Sequence, residues 1–163
     1  MKTIIFIRHA KSSWKYPELT DFERPLNKRG KRDAPEMAIR LQKLAIKPDL
    51  IVSSAAVRAK MTATYFAELL DYPVANIQED EQIYEASVED VFDVICLLPD
   101  NYNLILVFGH NPTFTMIANR FSNKMIENVP TTGMFGVGFK TKTWKNFAGS
   151  SAKFLFYDYP KSA

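Results

Sequence analysis

Two apolar runs, Thr3-Ile4-Ile5-Phe6-Ile7 and Leu104-Ile105-Leu106-Val107-Phe108, each give way to a short polar passage carrying a histidine. The first continues as Arg8-His9 and the second as Gly109-His110, and the chain has no other histidine. Short runs rich in Ile, Val and Phe, without polar alternation, read as strands buried on both faces. Such strands belong in a parallel sheet with helices on either side, and their carboxyl ends share one rim. Open α/β sheets bind ligands at that rim. His9 and His110 are therefore expected to meet there, although they lie far apart in sequence.

The totals narrow the class. A length of 163 residues suits one domain spanning 1–163 with a substantial core. Hydrophobic content of 47% with 24% charged residues is that of a folded chain, which sets disorder aside. Cys96 is the sole cysteine, so no internal disulfide is available and a reducing, cytoplasmic setting is expected. It sits within Val94-Ile95-Cys96-Leu97-Leu98 and reads as a core residue. The N-terminal apolar run is too short for a signal peptide, and no stretch reaches the roughly 18–20 apolar residues that span a bilayer. No membrane association is expected.

Charge is placed unevenly. The net value is only +3, yet Arg8, Lys11, Lys15, Arg24, Lys28, Arg29, Lys31 and Arg32 fall within one stretch, against Glu18, Asp21 and Glu23. That excess sets up a positive field suited to anions. No nucleic-acid motif accompanies it and the C-terminal half is not basic, so nucleic acid is not an expected partner.

Strand and helix patterns alternate along the chain. A strand over 2–8 is followed by a polar loop through Asn27 and a helix over 28–46. That helix carries Ala34, Met37, Ala38, Leu41, Leu44 and Ala45 on one face. Pro35 inside it predicts a kink or a distinct first turn. A strand over 50–53, a helix over 55–70 and a short strand over 73–77 come next. Ser87 is positioned to cap a helix over 87–98 with Asp90 in its first turn. After the strand at 103–108, Pro112 opens a helix reaching Phe121. Two β-like runs, 133–140 and 152–158, close the chain. The pattern predicts a three-layer α/β/α architecture, a mostly parallel open sheet with helices on both faces and a C-terminal antiparallel hairpin.

Three passages from strand to helix carry chemistry. Arg8-His9 joins a guanidinium suited to phosphate with an imidazole able to act as nucleophile or acid/base. Ser53-Ser54-Ala55-Ala56-Val57-Arg58-Ala59-Lys60-Met61-Thr62-Ala63 leaves a strand and opens a helix, a natural anion site, with Arg58 in the first turn. Gly109-His110-Asn111-Pro112 is the third. Two histidines and two arginines at such passages make a coherent phosphate site. No glycine-rich loop follows the first strand, which argues against a nucleotide-binding domain.

Arg8-His9-Ala10, the Ser-Ser-x-x-x-Arg-Ala-x-x-Thr-Ala segment and Gly109-His110-Asn111-Pro112 resemble the histidine phosphatase superfamily, with its phosphoglycerate mutase-like fold. Within it the chain is similar to the small SixA-type phosphohistidine phosphatases. Arg24-Pro25-Leu26-Asn27 and Thr131-Thr132-Gly133-Met134 add to the likeness. The resemblance implies that His9 is a nucleophile that becomes transiently phosphorylated, and that Arg8, Arg58 and His110 complete the phosphate pocket. It implies that Arg24 lies near the phosphate. Ser12 matches the serine that follows the Arg-His pair in many relatives, with loop capping as its alternative role. No cofactor and no metal are implied.

Two departures bear on function. Ala10 stands where the larger superfamily usually has glycine. The general acid of larger relatives falls in Asp80-Glu81-Gln82-Ile83-Tyr84-Glu85-Ala86-Ser87, where Glu81 and Glu85 are both candidates and Glu85 is preferred for its place just before a helix. An imidazole leaves phosphorus far more readily than an alkoxide does. A site without a committed acid therefore favours phosphoramidates, and the expected substrate is a phosphohistidine protein. The alternatives are a small-molecule phosphomonoesterase of the same superfamily and a phosphoprotein-binding module without turnover. The oligomeric state is not legible. Trp14, Tyr16 and Phe22 in the basic loop are expected to fold onto the body, with a docking rim as the alternative.

Overall fold

The computed structural model describes residues 1–161. Six strands, β1 (Lys2–Arg8), β2 (Leu50–Ser54), β3 (Gln78–Asp80), β4 (Leu104–Gly109), β5 (Met134–Phe139) and β6 (Ala152–Asp158), form one sheet. Their order is β3-β2-β4-β1-β5-β6. The first four neighbours pair in parallel, while β5 runs antiparallel to β1 and to β6. Four helices, α1 (Lys28–Lys43), α2 (Val57–Leu69), α3 (Val88–Cys96) and α4 (Thr113–Phe121), cover it. The expected three-layer, mostly parallel fold with a C-terminal hairpin is the one observed.

The two faces of β1 show why the layers form. Ile4 and Phe6 point into a cluster with Val52, Ile105, Val107 and the apolar stripes of α3 and α4. Ile5 and Ile7 alternate to the opposite cluster, with Ile51, Leu106, Phe108 and residues of α1 and α2. Each such side chain, fully buried, contributes on the order of 1.5–3 kcal/mol. Trp144, fully buried although it belongs to the β5–β6 connection, donates its indole N–H to the Tyr102 carbonyl at 2.9 Å. No helix among the described residues is long and apolar enough to cross a membrane.

Local chemistry sets the element ends, and three expectations change. The helix expected over 28–46 stops at Lys43. The Ala45 N–H bonds to the Gln42 carbonyl and the Ile46 N–H to the Leu41 carbonyl, with Ala45 at φ 58°. That is a Schellman stop, and it turns Leu44 and Ala45 out to solvent and tucks Ile46 under instead. α1 runs unbroken through Pro35. The strand expected over 73–77 is a single 3-10 turn, Val74–Asn76, and the short strand follows it at Gln78–Asp80. The Ser87–Asp90 capping box forms as the spacing requires. Cys96 is half-buried against the core rather than enclosed, and burial, with Asp93 nearby, raises its thiol pKa.

One contact ties α1 to the rim. Asn27 caps the helix by accepting from the Gly30 N–H at 2.9 Å, and its own N–H donates to the Lys11 carbonyl at 2.9 Å. A Cβ on Gly30 would lie 2.2 Å from that same Lys11 oxygen. Only a glycine lets the helix approach the loop that leaves β1. Gly30→Ala is therefore expected to lower stability by about 1–3 kcal/mol through forced backbone displacement, read as a lower urea midpoint. An unchanged midpoint would show that the loop yields freely.

Candidate active site

β1 and β4 pair directly, with Arg8 opposite Gly109, so the residues that follow each strand emerge side by side. The His9 N–H donates to the Gly109 carbonyl at 3.0 Å, and the two imidazole rings stand 5.1 Å apart between centroids. β2 lies on the far side of β4 and delivers α2, with Arg58 in its first turn. The sheet order thus gathers all three passages at one rim.

The loop after β1 is clamped from both sides. The turn at Pro130–Gly133 donates the Thr132 N–H to the carbonyls of Arg8 and His9, at 3.0 and 3.1 Å. Thr132 takes φ 62° to do so. From α2, the Thr62 hydroxyl accepts the Ala10 N–H at 2.9 Å and donates to the Arg58 carbonyl at 2.8 Å. One threonine thereby couples the position of His9 to that of Arg58.

His9 is 8% exposed and its tautomer follows from its partners. Nδ1 lies 2.7 Å from the Ala10 carbonyl, which only accepts, so Nδ1 carries the proton. Nε2 keeps its lone pair and accepts from Arg58 Nε at 3.4 Å. Burial first and then His110 hold its pKa well below the ordinary value; the Ala10 carbonyl opposes them, and Arg58 and Arg8 add lesser downward effects. His9 is neutral at neutral pH.

His110 places Nε2 2.7 Å from the Ser54 hydroxyl. Its pKa is pushed down to about 4, by burial first and then by Arg58, with Asp21 opposing and Arg8 adding. His110 is therefore neutral at neutral pH. Arg8 donates Nη1 to the Val129 carbonyl at 2.9 Å. Arg8 Nε and His110 Nδ1 are buried without a hydrogen-bond partner among the described residues. Unsatisfied buried donors and acceptors are rare.

Asp21, like its partner Tyr84, is a residue that sequence reasoning missed. It bridges three donors: Arg58 Nη2 at 2.9 Å, Arg24 Nη1 at 2.9 Å and the Tyr84 hydroxyl at 2.6 Å. Burial alone would raise its pKa, but the Tyr84, Arg58 and Arg24 hydrogen bonds overcome it and take the carboxyl down to about 2. Tyr84 moves the opposite way, up to about 12, from burial and from its bond to Asp21. The only hint in the chain was the three-residue spacing from Asp21 to Arg24.

A cavity of about 340 Å³ opens at this point, and all seven anticipated residues (Arg8, His9, Ser12, Arg24, Arg58, Glu85 and His110) line it. Arg24 is buried, donating to the Ser12 hydroxyl and to the Ser13 carbonyl, so Ser12 orients an arginine. Glu85 reaches the rim as an exposed side chain at φ 53°, while Glu81 stays outside in a 3-10 turn. Asp21, Tyr84, Lys11, Trp14, Asn111 and Thr131 complete the lining. The loop aromatics divide. Phe22 packs edge-on against Tyr84 as expected, but Trp14 and Tyr16 remain 76% and 46% exposed. Trp14 stays outside because its ring is spent on the Arg24 guanidinium, 3.3 Å away.

Residues 4–92 match the family model of the histidine phosphatase superfamily, branch 1, a span that includes Arg8, His9 and Arg58 and ends before His110. An uncharacterised chloroplastic protein of Arabidopsis thaliana is 31% identical over 135 residues, 77% of this chain, which spans 62% of that relative's length. Among solved structures, SixA from Agrobacterium tumefaciens superposes with a TM-score of 0.81 at 22% identity, covering 98% of both chains. The protein histidine phosphatase SixA complexed with tungstate gives 0.81 at 18% identity, covering 97% of each. These likenesses establish a phosphoglycerate mutase-like α/β fold.

The pocket's electrostatics have a direct readout, because two histidines give two resolvable imidazole signals by NMR. His110 is expected to titrate near pH 4 in the free protein. Sulfate, a dianion throughout that range, favours the imidazolium, so adding it should move the midpoint upward. By reciprocity, sulfate affinity should increase as pH falls toward the raised midpoint. A His110 midpoint near 6.5 that sulfate leaves in place would contradict this account.

Proposed function

The chain belongs to the histidine phosphatase superfamily, and on that footing we propose that it is a phosphohistidine phosphatase. It acts through a covalent intermediate on His9, most aptly on a phosphohistidine protein. The observation that carries this reading is the convergence of Arg8, His9, Arg58 and His110 on one cavity, with the lone pair of His9 Nε2 beside Arg58.

In the first step, His9 Nε2 attacks phosphorus while the bond to the departing imidazole breaks, that ring having taken a proton from water. Arg8 and Arg58 hold the non-bridging oxygens, and Arg24 adds a third guanidinium from the cavity wall. The incoming dianion draws a solvent proton onto His110, which then donates a hydrogen bond to a phosphoryl oxygen. In the second step, water attacks phosphorus and the P–Nε2 bond breaks; the attacking water releases a proton to solvent, replacing the one the leaving ring took. Hydrogen phosphate leaves with neutral His9 restored, and His110 returns its proton to solvent. The covalent route divides one difficult displacement into two. Charge stabilisation comes from fixed cations of the chain, and we assign no metal or cofactor a part.

Asp21 is ionised in this pocket, so it orients Arg24 and Arg58 rather than supplying a proton. That leaves Glu85, an exposed rim carboxylate with no hydrogen-bond partner among the described residues, as the acid candidate. A rim acid serves poorly for expelling an alkoxide, whereas an imidazole needs little help. This contrast supports phosphohistidine over phosphate monoesters. A free Cys96 accords with the cytoplasm as the place of action.

His9→Ala should abolish turnover, and wild type quenched during turnover should carry acid-labile, base-stable phosphate on His9. Residual hydrolysis in His9→Ala would falsify the covalent mechanism. Arg58→Ala should lower kcat by about 10²–10³-fold, the range for loss of one charge-stabilising donor. Because Glu85 lines the cavity, the ester reading has its own check: Glu85→Gln should leave phosphohistidine hydrolysis within about threefold of wild type. A loss of 10²-fold or more, with efficient ester turnover in wild type, favours a monoesterase.

A further inference from the structure

Beside the catalytic cavity lies a larger hollow, about 650 Å³, that the proposed chemistry leaves unused. Lys11, Ser12 and Trp14 line both, so the two are continuous. Two antiparallel stretches form its framework. The Ser13 N–H donates to the Pro25 carbonyl at 2.8 Å, the Asn27 N–H to the Lys11 carbonyl at 2.9 Å, and Ser12 pairs with Leu26. The groove is thus a fixed feature of the loop that carries the site.

Its charge is one-sided. Lys11, Lys15, Lys28, Arg29 and Lys31 line it, and no Asp or Glu stands among its described lining residues. Arg29 has a carboxylate partner, Asp33 at 3.5 Å; the four lysines have none among the described residues. Lys28, Arg29 and Lys31 crowd the N-terminal end of α1, where no acidic residue stands. The dipole of a helix favours anions at that end, so this placement works against stability and calls for another use. Trp14, most of its ring in solvent and one face held by Arg24, stands where the groove meets the catalytic cavity. Exposed aromatic rings beside unpaired cations are the makings of an interaction surface.

We propose that this groove docks an acidic segment of the protein whose phosphohistidine enters the catalytic cavity, an inference that rests on the phosphohistidine reading above. The cations come from two separate stretches of chain, Lys11 and Lys15 on one and Lys28, Arg29 and Lys31 on the other. That arrangement suits an extended run of carboxylates better than a compact second phosphate. A nucleic-acid strand needs successive stacking surfaces; the described lining offers two aromatic rings, Trp14 and Tyr16, and Trp14 has one face already taken by Arg24.

The test uses histidine peptides phosphorylated with phosphoramidate, one with Asp and Glu flanks and one with Ser and Asn flanks, together with phosphohistidine itself. Wild type should show a KM about tenfold lower for the acidic peptide, with similar kcat, and the preference should fade between about 50 and about 500 mM salt. The double variant Lys15→Glu/Lys28→Glu should lose the preference while hydrolysing phosphohistidine as wild type does, which also certifies its fold. Equal KM values for both peptides in an active wild type would remove the groove's role and leave the phosphatase reading intact. So would a preference for a small bisphosphate or for single-stranded RNA that the same variant abolishes. A wild type inert on every phosphohistidine substrate would instead remove the reading on which the inference stands.

Discussion

Like-charge crowding is the constraint that organises this molecule's active rim. Arg8, Arg24 and Arg58 line a single small cavity with two imidazoles, and at short range in a partly buried setting such charges repel by several kcal/mol per pair. Three devices make the arrangement tolerable. Both imidazoles stay neutral, with His110 held down to about 4. Backbone carbonyls of Val129, Ser13 and Asp21 accept from the guanidiniums. The Asp21 carboxylate bridges Arg24 and Arg58. Three guanidiniums and one carboxylate leave two positive charges, the complement of a phosphoryl dianion.

The same constraint explains what was legible in the chain. The ends of β1 and β4 were readable because uninterrupted Ile, Leu, Val and Phe admit only a strand buried on both faces, and two parallel strands bring His9 and His110 to one rim. Arg58 was readable from its place after β2. Asp21 was not, because it sits in an irregular loop where no periodicity fixes its direction and nothing local links it to Arg58, 37 residues away. Tyr84 was hidden for the same reason: its partner is 63 residues distant. Long-range polar contacts between loops leave no mark on hydrophobic pattern.

The misread element ends share a cause of a different kind. Leu44 and Ala45 continue the apolar spacing of α1, yet the helix stops because a Schellman turn satisfies the last carbonyls at a non-glycine residue, Ala45. The expected β-run at 73–77 failed because Pro73 fixed a turn before the chain could extend. The aromatics of the basic loop do not behave as one group. In the structure Phe22 has Tyr84 to pack against, whereas Trp14 has only a guanidinium, and a cation stacked on one ring face leaves the other in water.

Under the proposed phosphatase reading, Asp21 also bears on why this pocket can be highly charged and still turn over. A free carboxylate of comparable affinity would compete with the phosphoryl group for the same arginines. Asp21 cannot leave its loop, and the Tyr84 hydroxyl fixes one of its oxygens at 2.6 Å, so it neutralises the arginines from the side. Arg58 keeps Nε directed at His9 Nε2 while Nη1 and Nη2 are held by Asp21. The guanidinium is therefore oriented before substrate arrives, and little reorganisation is needed as charge moves onto the phosphoryl oxygens, which is where preorganised electrostatics gain most.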